Sequence, residues 1–369
     1  ASNRTIATNE DVARVLAVGD FGFSDVDAGD SLQSVTLASL PAAGSLKLNG
    51  LAVTANQVVT AADLTAGKLV FTPAADANGA GYASFGFKVS DGIALSASAY
   101  TMTVNVTPVN DAPTASNRTI TTNEDVAKVL AVSDFGFADV DAGNTLQSVT
   151  LTSLPAAGSL KLNGVAVTAN QIVTAAELTA GKLIFTPAAN ANGAGYASFG
   201  FKVSDGTALS ALAYNMTVNV TAVNDAPTAS NRTIATNEDV ARVLAVADFG
   251  FSDVDPADTL QSVTLTSLPV AGSLKLNGVA VTANQVVTAA ELTAGKLIFT
   301  PAANANGAGY ASFGFKVSDG TALSASAYNM TVNVTAVNDA PTASNRTIST
   351  NEDVAKVLAV SDFGFADVD

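Results

Sequence analysis

The side chains in this sequence able to do chemistry are its acids. There is no His and no Cys among 369 residues, so neither imidazole nor thiolate can serve as base, nucleophile or soft metal ligand. In the first 114 residues the carboxylates are Glu10, Asp11, Asp20, Asp25, Asp27, Asp30, Asp63, Asp76, Asp91 and Asp111, and none falls between Leu32 and Ala62. Most lie in short segments: Asn9-Glu10-Asp11, Asp25-Val26-Asp27-Ala28-Gly29-Asp30, Ser90-Asp91-Gly92 and Asn110-Asp111. Read singly, each is a solvated loop charge, and Asp-Gly is common in turns. If the fold draws these segments together, their carboxylates repel strongly wherever water is partly excluded. A divalent cation reverses that cost. Hard oxygen donors without His or Cys select Ca²⁺, which takes roughly six to eight such ligands at about 2.3–2.6 Å. No EF-hand string occurs.

Other motifs carry less. Asp20-Phe21-Gly22 spells a kinase triplet, but no His-Arg-Asp loop or Gly-rich nucleotide loop accompanies it, and it reads as a turn with core aromatics. Asn78-Gly79-Ala80-Gly81 reads as a flexible loop with no helix after it, which excludes a phosphate cradle. Asn3-Arg4-Thr5 and Asn105-Val106-Thr107 fit the N-glycosylation pattern but are read as unmodified. Tyr82, Tyr100 and Phe85 could line a sugar site, although alternating aromatics of this kind normally fill a core. No nucleophile–base pair stands out, so an enzyme is not expected.

The elements that must position the acids are written more than once. Ala1-Ser2-Asn3-Arg4-Thr5-Ile6 returns at Ala115, Ala229 and Ala343, a spacing of 114 residues. Most differences between copies are conservative, such as Arg14 against Lys128 and Val70 against Ile184. The expected domains are residues 1–114, 115–228 and 229–342, with 343–369 the incomplete start of a fourth. A unit of this length can bury its own core, unlike short solenoid repeats. Copying a catalytic site in tandem gains little, whereas a spacer gains length with every copy. The net charge of −15 argues against nucleic acid and anionic membrane surfaces as partners. No run of 18 apolar residues and no export signal is visible. The expectation is a segment of a longer array, its signal lying outside this stretch.

Within one copy the patterning is almost wholly β. Phe85, Phe87 and Val89 alternate with Gly86 and Lys88, and Tyr100, Met102, Val104 and Val106 alternate with Thr101, Thr103, Asn105 and Thr107. Leu32-Gln33-Ser34-Val35-Thr36-Leu37 begins another strand, and Asn49-Gly50 between Leu46-Lys47-Leu48 and Leu51-Ala52-Val53 signals a type I′ hairpin. Lys68-Leu69-Val70-Phe71-Thr72 stops at Pro73. Thr60 to Ala66, capped by Thr60 and stopped by Gly67, is the one helical segment. Roughly seven strands in about 100 residues read as an all-β fold, an antiparallel Greek-key sandwich repeated end to end. Val109-Asn110-Asp111-Ala112-Pro113 links one sandwich to the next.

The whole period resembles the cadherin-like repeats of large secreted bacterial adhesins and biofilm-matrix proteins. Its most specific stretch is Phe87-Lys88-Val89-Ser90-Asp91-Gly92, Thr103-Val104-Asn105-Val106-Thr107 and Val109-Asn110-Asp111-Ala112-Pro113. Animal cadherins are similar more distantly. Their acidic linker is echoed by Asn110-Asp111-Ala112-Pro113, their D-x-D-x-G-x-N by Asp139-Val140-Asp141-Ala142-Gly143-Asn144, their early Glu by Glu10, and an Asp before Gly by Asp205-Gly206. The resemblance implies Ca²⁺ ligands drawn from one repeat, the linker and the next repeat. The first set is Glu10, Asn110, Asp111, Asp139, Asp141 and Asp205. The second is Glu124, Asn224, Asp225, Asp253, Asp255 and Asp319. The third is Glu238, Asn338, Asp339, Asp367 and Asp369. There are departures: Pro108, Ala222 and Ala336 stand where the animal linker has its first Asp, the linker is one residue shorter, and no mid-domain acidic pair is found. Asp255-Pro256-Ala257 also loses the Gly after Asp-x-Asp. Fewer ions per junction follow, one or two, with affinity around 10⁻⁴–10⁻³ M. The role implied is an extracellular, calcium-stiffened extender of an adhesin or matrix fibre, whose partners are its own neighbouring repeats. The alternatives are a filament that associates laterally with itself and, further off, a carbohydrate-binding module.

Overall fold

The computed structural model describes residues 1–368. The chain forms two compact units, one of residues 1–188 with 192–221, the other of residues 189–191 with 222–369. The first unit holds two sandwiches of the same build. In the first sandwich the elements are β1 (Arg4–Asn9), β2 (Arg14–Val15), β3 (Ser34–Leu37), β4 (Ser45–Leu48), β5 (Leu51–Ala52), β6 (Val58–Thr60), the helix α1 (Ala61–Thr65), β7 (Leu69–Thr72), β8 (Gly79–Ser90) and β9 (Tyr100–Thr107). Seven strands have three or more residues, and β2 and β5 have two each. A five-stranded sheet in the order β1-β9-β8-β3-β6 faces a four-stranded sheet in the order β2-β7-β4-β5.

The alternation seen in the sequence explains why the sheets close on one another. Phe85 and Phe87 of β8 and Met102 and Val104 of β9 point inward against Phe21, Leu69 and Phe71, all with essentially no exposure. Phe21 meets Phe87 edge-on, ring centroids 5.1 Å apart. At the tip of β4 and β5, Asn49 (φ 51°) and Gly50 (φ 79°) make the primed turn that pairs Leu48 with Leu51. Thr60 caps α1 by accepting the Asp63 N–H at 3.1 Å.

One feature departs from an antiparallel sandwich: β1 pairs with β9 in parallel, in register from Arg4 opposite Met102 to Asn9 opposite Thr107. No hairpin joins these two strands, since the whole sandwich lies between them in sequence, so turn geometry imposes no direction. After Asn9 the chain turns through Asp11, at φ 59°, and crosses to the other sheet as β2.

The second sandwich repeats this with Arg118–Asn123 parallel to Tyr214–Thr221 and with Phe135, Phe185, Phe199 and Phe201 at its centre. In the second unit Arg232–Asn237 runs parallel to Tyr328–Thr335 over a core built on Phe249, Phe299, Phe313 and Phe315. Beyond it, Thr342–Ala343 pairs with Phe365–Ala366.

Candidate metal centre

Glu10 stands at the end of β1, where the turn through Asp11 begins. It is only 3% exposed. Its two carboxylate oxygens are each met by a donor: Asn78 Nδ2 at 2.8 Å and the Val109 backbone N–H at 2.5 Å. These bonds, that from Asn78 foremost, hold the Glu10 carboxyl below the usual range although burial opposes ionisation. The parallel pairing of β1 with β9 is what brings Glu10 beside the linker: its backbone N–H continues the ladder to Thr107 O at 3.0 Å, two residues before Val109.

The linker then reaches the second sandwich. Asn110 Nδ2 donates to Asp205 Oδ2 at 2.9 Å and to its neighbour's Asp111 carbonyl at 2.7 Å. The Asp111 N–H donates to Asp141 Oδ2 at 2.8 Å, and the Asp141 N–H donates to Asp139 Oδ1 at 3.0 Å. Asp205 Oδ1 accepts the N–H groups of Thr207 and Ala208. Asn110, Asp111, Asp139, Asp141 and Asp205 are therefore joined in one hydrogen-bond network, and Glu10 holds the linker at the adjacent Val109.

The electrostatics are one-sided. Oxygens of Glu10, Asp111 and Asp141 lie within 4.8 Å of one another, and so do those of Asp11, Asp76 and Asp111. Asp139 Oδ2 is buried with no hydrogen-bond partner. Among the described residues, the ion pairs within this unit, Arg14–Asp20 and Lys68–Asp63, lie elsewhere. Burial, then the charges of Asp76, Asp141, Asp11 and Glu10, push the Asp111 carboxyl upward. Clustered hard oxygens, together with the buried and unbonded oxygen of Asp139, are a donor set that fits Ca²⁺.

In the second unit the same bonds recur. Asn224 Nδ2 donates to Asp319 Oδ2 at 3.0 Å, the Asp225 N–H to Asp255 Oδ2 at 2.8 Å, and the Asp255 N–H to Asp253 Oδ1 at 3.1 Å. Asp253, Asp255 and Asp258 form an acidic triplet there, and burial and its two partners raise the Asp258 carboxyl. Glu124, in the first unit, accepts Asn192 Nδ2 at 3.0 Å. Of the third set, Glu238 accepts Asn306 Nδ2 and the Val337 N–H, at 2.9 and 2.6 Å. Asn338 Nδ2 donates to the Asp339 carbonyl, and the exposed Asp367 accepts the Val368 N–H. Asp369 lies outside the described residues.

Four participants were not in the sequence-derived sets: Asp11, Asp76, Asn78 and Asp258. Asp11 is adjacent to Glu10 and could have been included on that ground. Asp76 and Asn78 reach the Glu10–Asp11 turn only through folding across 65 and 68 residues, and no local pattern announces that. The Asn78 loop, expected to be flexible, is tied down at both positions.

A model of the bacterial Ig domain family matches residues 110–221 and 224–335. Integrin beta-like protein E of Dictyostelium discoideum is 32% identical over 152 residues, which are 40% of this chain and 7% of that protein. The chain thus spans a small fraction of that relative's length. Among solved structures, mouse protocadherin-24 EC1-3 is 13% identical, covering 91% of this chain and 98% of the other at a TM-score of 0.42. Drosophila N-cadherin EC1-4 is 10% identical, covering 93% and 76% at 0.32. An endo-fucoidan hydrolase of glycoside hydrolase family 107 is 20% identical, covering 84% and 40% at 0.22. Structural likenesses this remote carry no argument about role.

Proposed function

The chain belongs to the bacterial Ig domain family, and from that premise we propose that it is a non-enzymatic extender segment of an extracellular adhesin or matrix fibre, stiffened where sandwiches join by Ca²⁺. Each 114-residue copy is one module, 1–114, 115–228 and 229–342, and 343–369 opens a fourth. Glu10, Asn110, Asp111, Asp139, Asp141 and Asp205 would hold the cation at the first junction; within the second unit Asn224, Asp225, Asp253, Asp255 and Asp319 repeat the bonding of their counterparts. No described helix is long and apolar enough to cross a membrane.

The observation that carries this reading is the gathering of Glu10, Asp111 and Asp141 oxygens within 4.8 Å, together with a buried, unbonded oxygen on Asp139, whose other oxygen accepts the Asp141 N–H. Such an arrangement costs stability unless a cation shares the charge. Binding then couples to the geometry of the linker, and a chain exported from a low-calcium cytosol would complete its junctions outside. Scanning calorimetry and small-angle scattering in millimolar calcium chloride and in EDTA test it. Calcium is expected to raise the melting temperature and narrow the spread of conformations. Identical melting curves and scattering profiles in the two buffers would overturn it.

A further inference from the structure

Two segments converge on the turn that follows β1. The linker arrives through the Val109 N–H on Glu10 Oε1, at 2.5 Å. The loop before β8 arrives twice, through Asn78 Nδ2 on Glu10 Oε2 at 2.8 Å and the Asp76 N–H on Asp11 Oδ1 at 3.2 Å. The turn itself is held by the Glu10 N–H on Thr107 O. A carboxylate this buried is tolerated only if donors replace its water, and here two do, one from each converging segment. We propose that Asn78 is the positioning residue of a linker latch: it fixes the Glu10 carboxylate so that the other oxygen captures the Val109 N–H, setting the direction of the linker through protein hydrogen bonds alone.

The pairing recurs in the other copies, Asn192 on Glu124 at 3.0 Å and Asn306 on Glu238 at 2.9 Å, the latter beside Val337 in the same way. The residue type matters. Position 76 is Asp in the first copy and Asn at 190 and 304, whereas positions 78, 192 and 306 are Asn throughout. An amide there can donate to the buried carboxylate; a carboxylate in its place would set charge against charge. The latch goes beyond the cation reading and stands without it: junction stiffness then has two sources, one present at any calcium level.

The chain has no Cys, so Lys47→Cys and Lys161→Cys, both at exposed positions in the first unit, introduce the only two thiols for spin labels. Double electron–electron resonance in EDTA on the full chain is expected to give one narrow distance peak. Asn78→Ala is expected to lose that peak while circular dichroism shows the sandwiches folded. The exchanged pair Glu10→Gln with Asn78→Asp, in which amide and carboxylate trade places, restores donor and acceptor and is expected to restore the peak; a mere packing role gives no reason for such rescue. A broad distribution for the doubly labelled parent in EDTA, a narrow one for Asn78→Ala, or a folded exchanged pair that stays broad would each overturn the latch. Should Asn78→Ala not fold, the exchanged pair decides. Calcium chloride added to Asn78→Ala addresses the other reading separately: narrowing supports the cation junction, and no response counts against that reading and leaves the latch to the EDTA data.

Discussion

The backbone N–H of Asp111 donates to the Asp141 carboxylate at 2.8 Å, tying the linker to an acidic loop thirty residues further along. The bond orients Asp141 while leaving its charge within reach of Asp111 and Glu10. Asp141→Asn keeps the shape and one acceptor but removes that charge. In EDTA the melting temperature is expected to rise, because repulsion is relieved. In millimolar calcium it is expected to fall, and calorimetric titration should show calcium affinity reduced at least about tenfold. A change of the same sign in both buffers would contradict the account.

The pH dependence separates two carboxyls. Asp111 is held above its ordinary 3.8 by burial, then by Asp76, Asp141, Asp11 and Glu10. A carboxyl whose pKa is higher folded than unfolded binds more protons when folded, so its contribution to stability falls as pH rises through that interval. Glu10, held below 4.5 chiefly by Asn78 and then by Val109, contributes stability that is lost as pH falls from there through its folded value. In EDTA, Asp111→Asn should flatten the decline in melting temperature above pH 3.8, and Asn78→Ala should flatten the loss below pH 4.5. A calorimetric pH series on the two variants checks both directions.

The core offers a prediction independent of the junctions. Phe87 has no exposure and packs against both Phe21 and Tyr100. Phe87→Ala should destabilise the first sandwich by about 3–5 kcal/mol, read from urea unfolding. The second sandwich and the second unit keep their own aromatic clusters and should retain their transitions.

Gly44 sits at φ +68°, and a Cβ there would come within 2.7 Å of Phe71 Cζ and 2.8 Å of the Thr72 carbonyl oxygen. Strain and clash add, so Gly44→Ala should cost more than about 1 kcal/mol by the same urea measurement. Gly50→Ala, with open space around it but φ +79°, meets strain without the clash and should cost less.

Much of the sandwich was legible because its signals are local. Asn49-Gly50 announces its own turn, Pro73 follows the end of β7, and the alternation through β8 and β9 states which side chains face inward. β1 was not singled out. Only Ile6 in Arg4–Asn9 is deeply buried, and its partner β9 lies almost a full copy away. At the candidate site, the acids flanking Gly or Asn drew notice in the sequence, and all six of the first set converge. Asn78 did not, because an asparagine beside glycine looks like any surface turn until the buried carboxylate it serves is known.

The parallel course of β1 beside β9 also has a mechanical consequence. Tension on the chain enters a sandwich at the start of its first strand and leaves at the end of its last, in opposite directions along neighbouring strands. Such a load slides the two past each other instead of peeling them apart. The six facing residue pairs from Arg4–Met102 to Asn9–Thr107 must then give way together, so the sandwich resists pulling at its ends through the one pairing that breaks the antiparallel pattern.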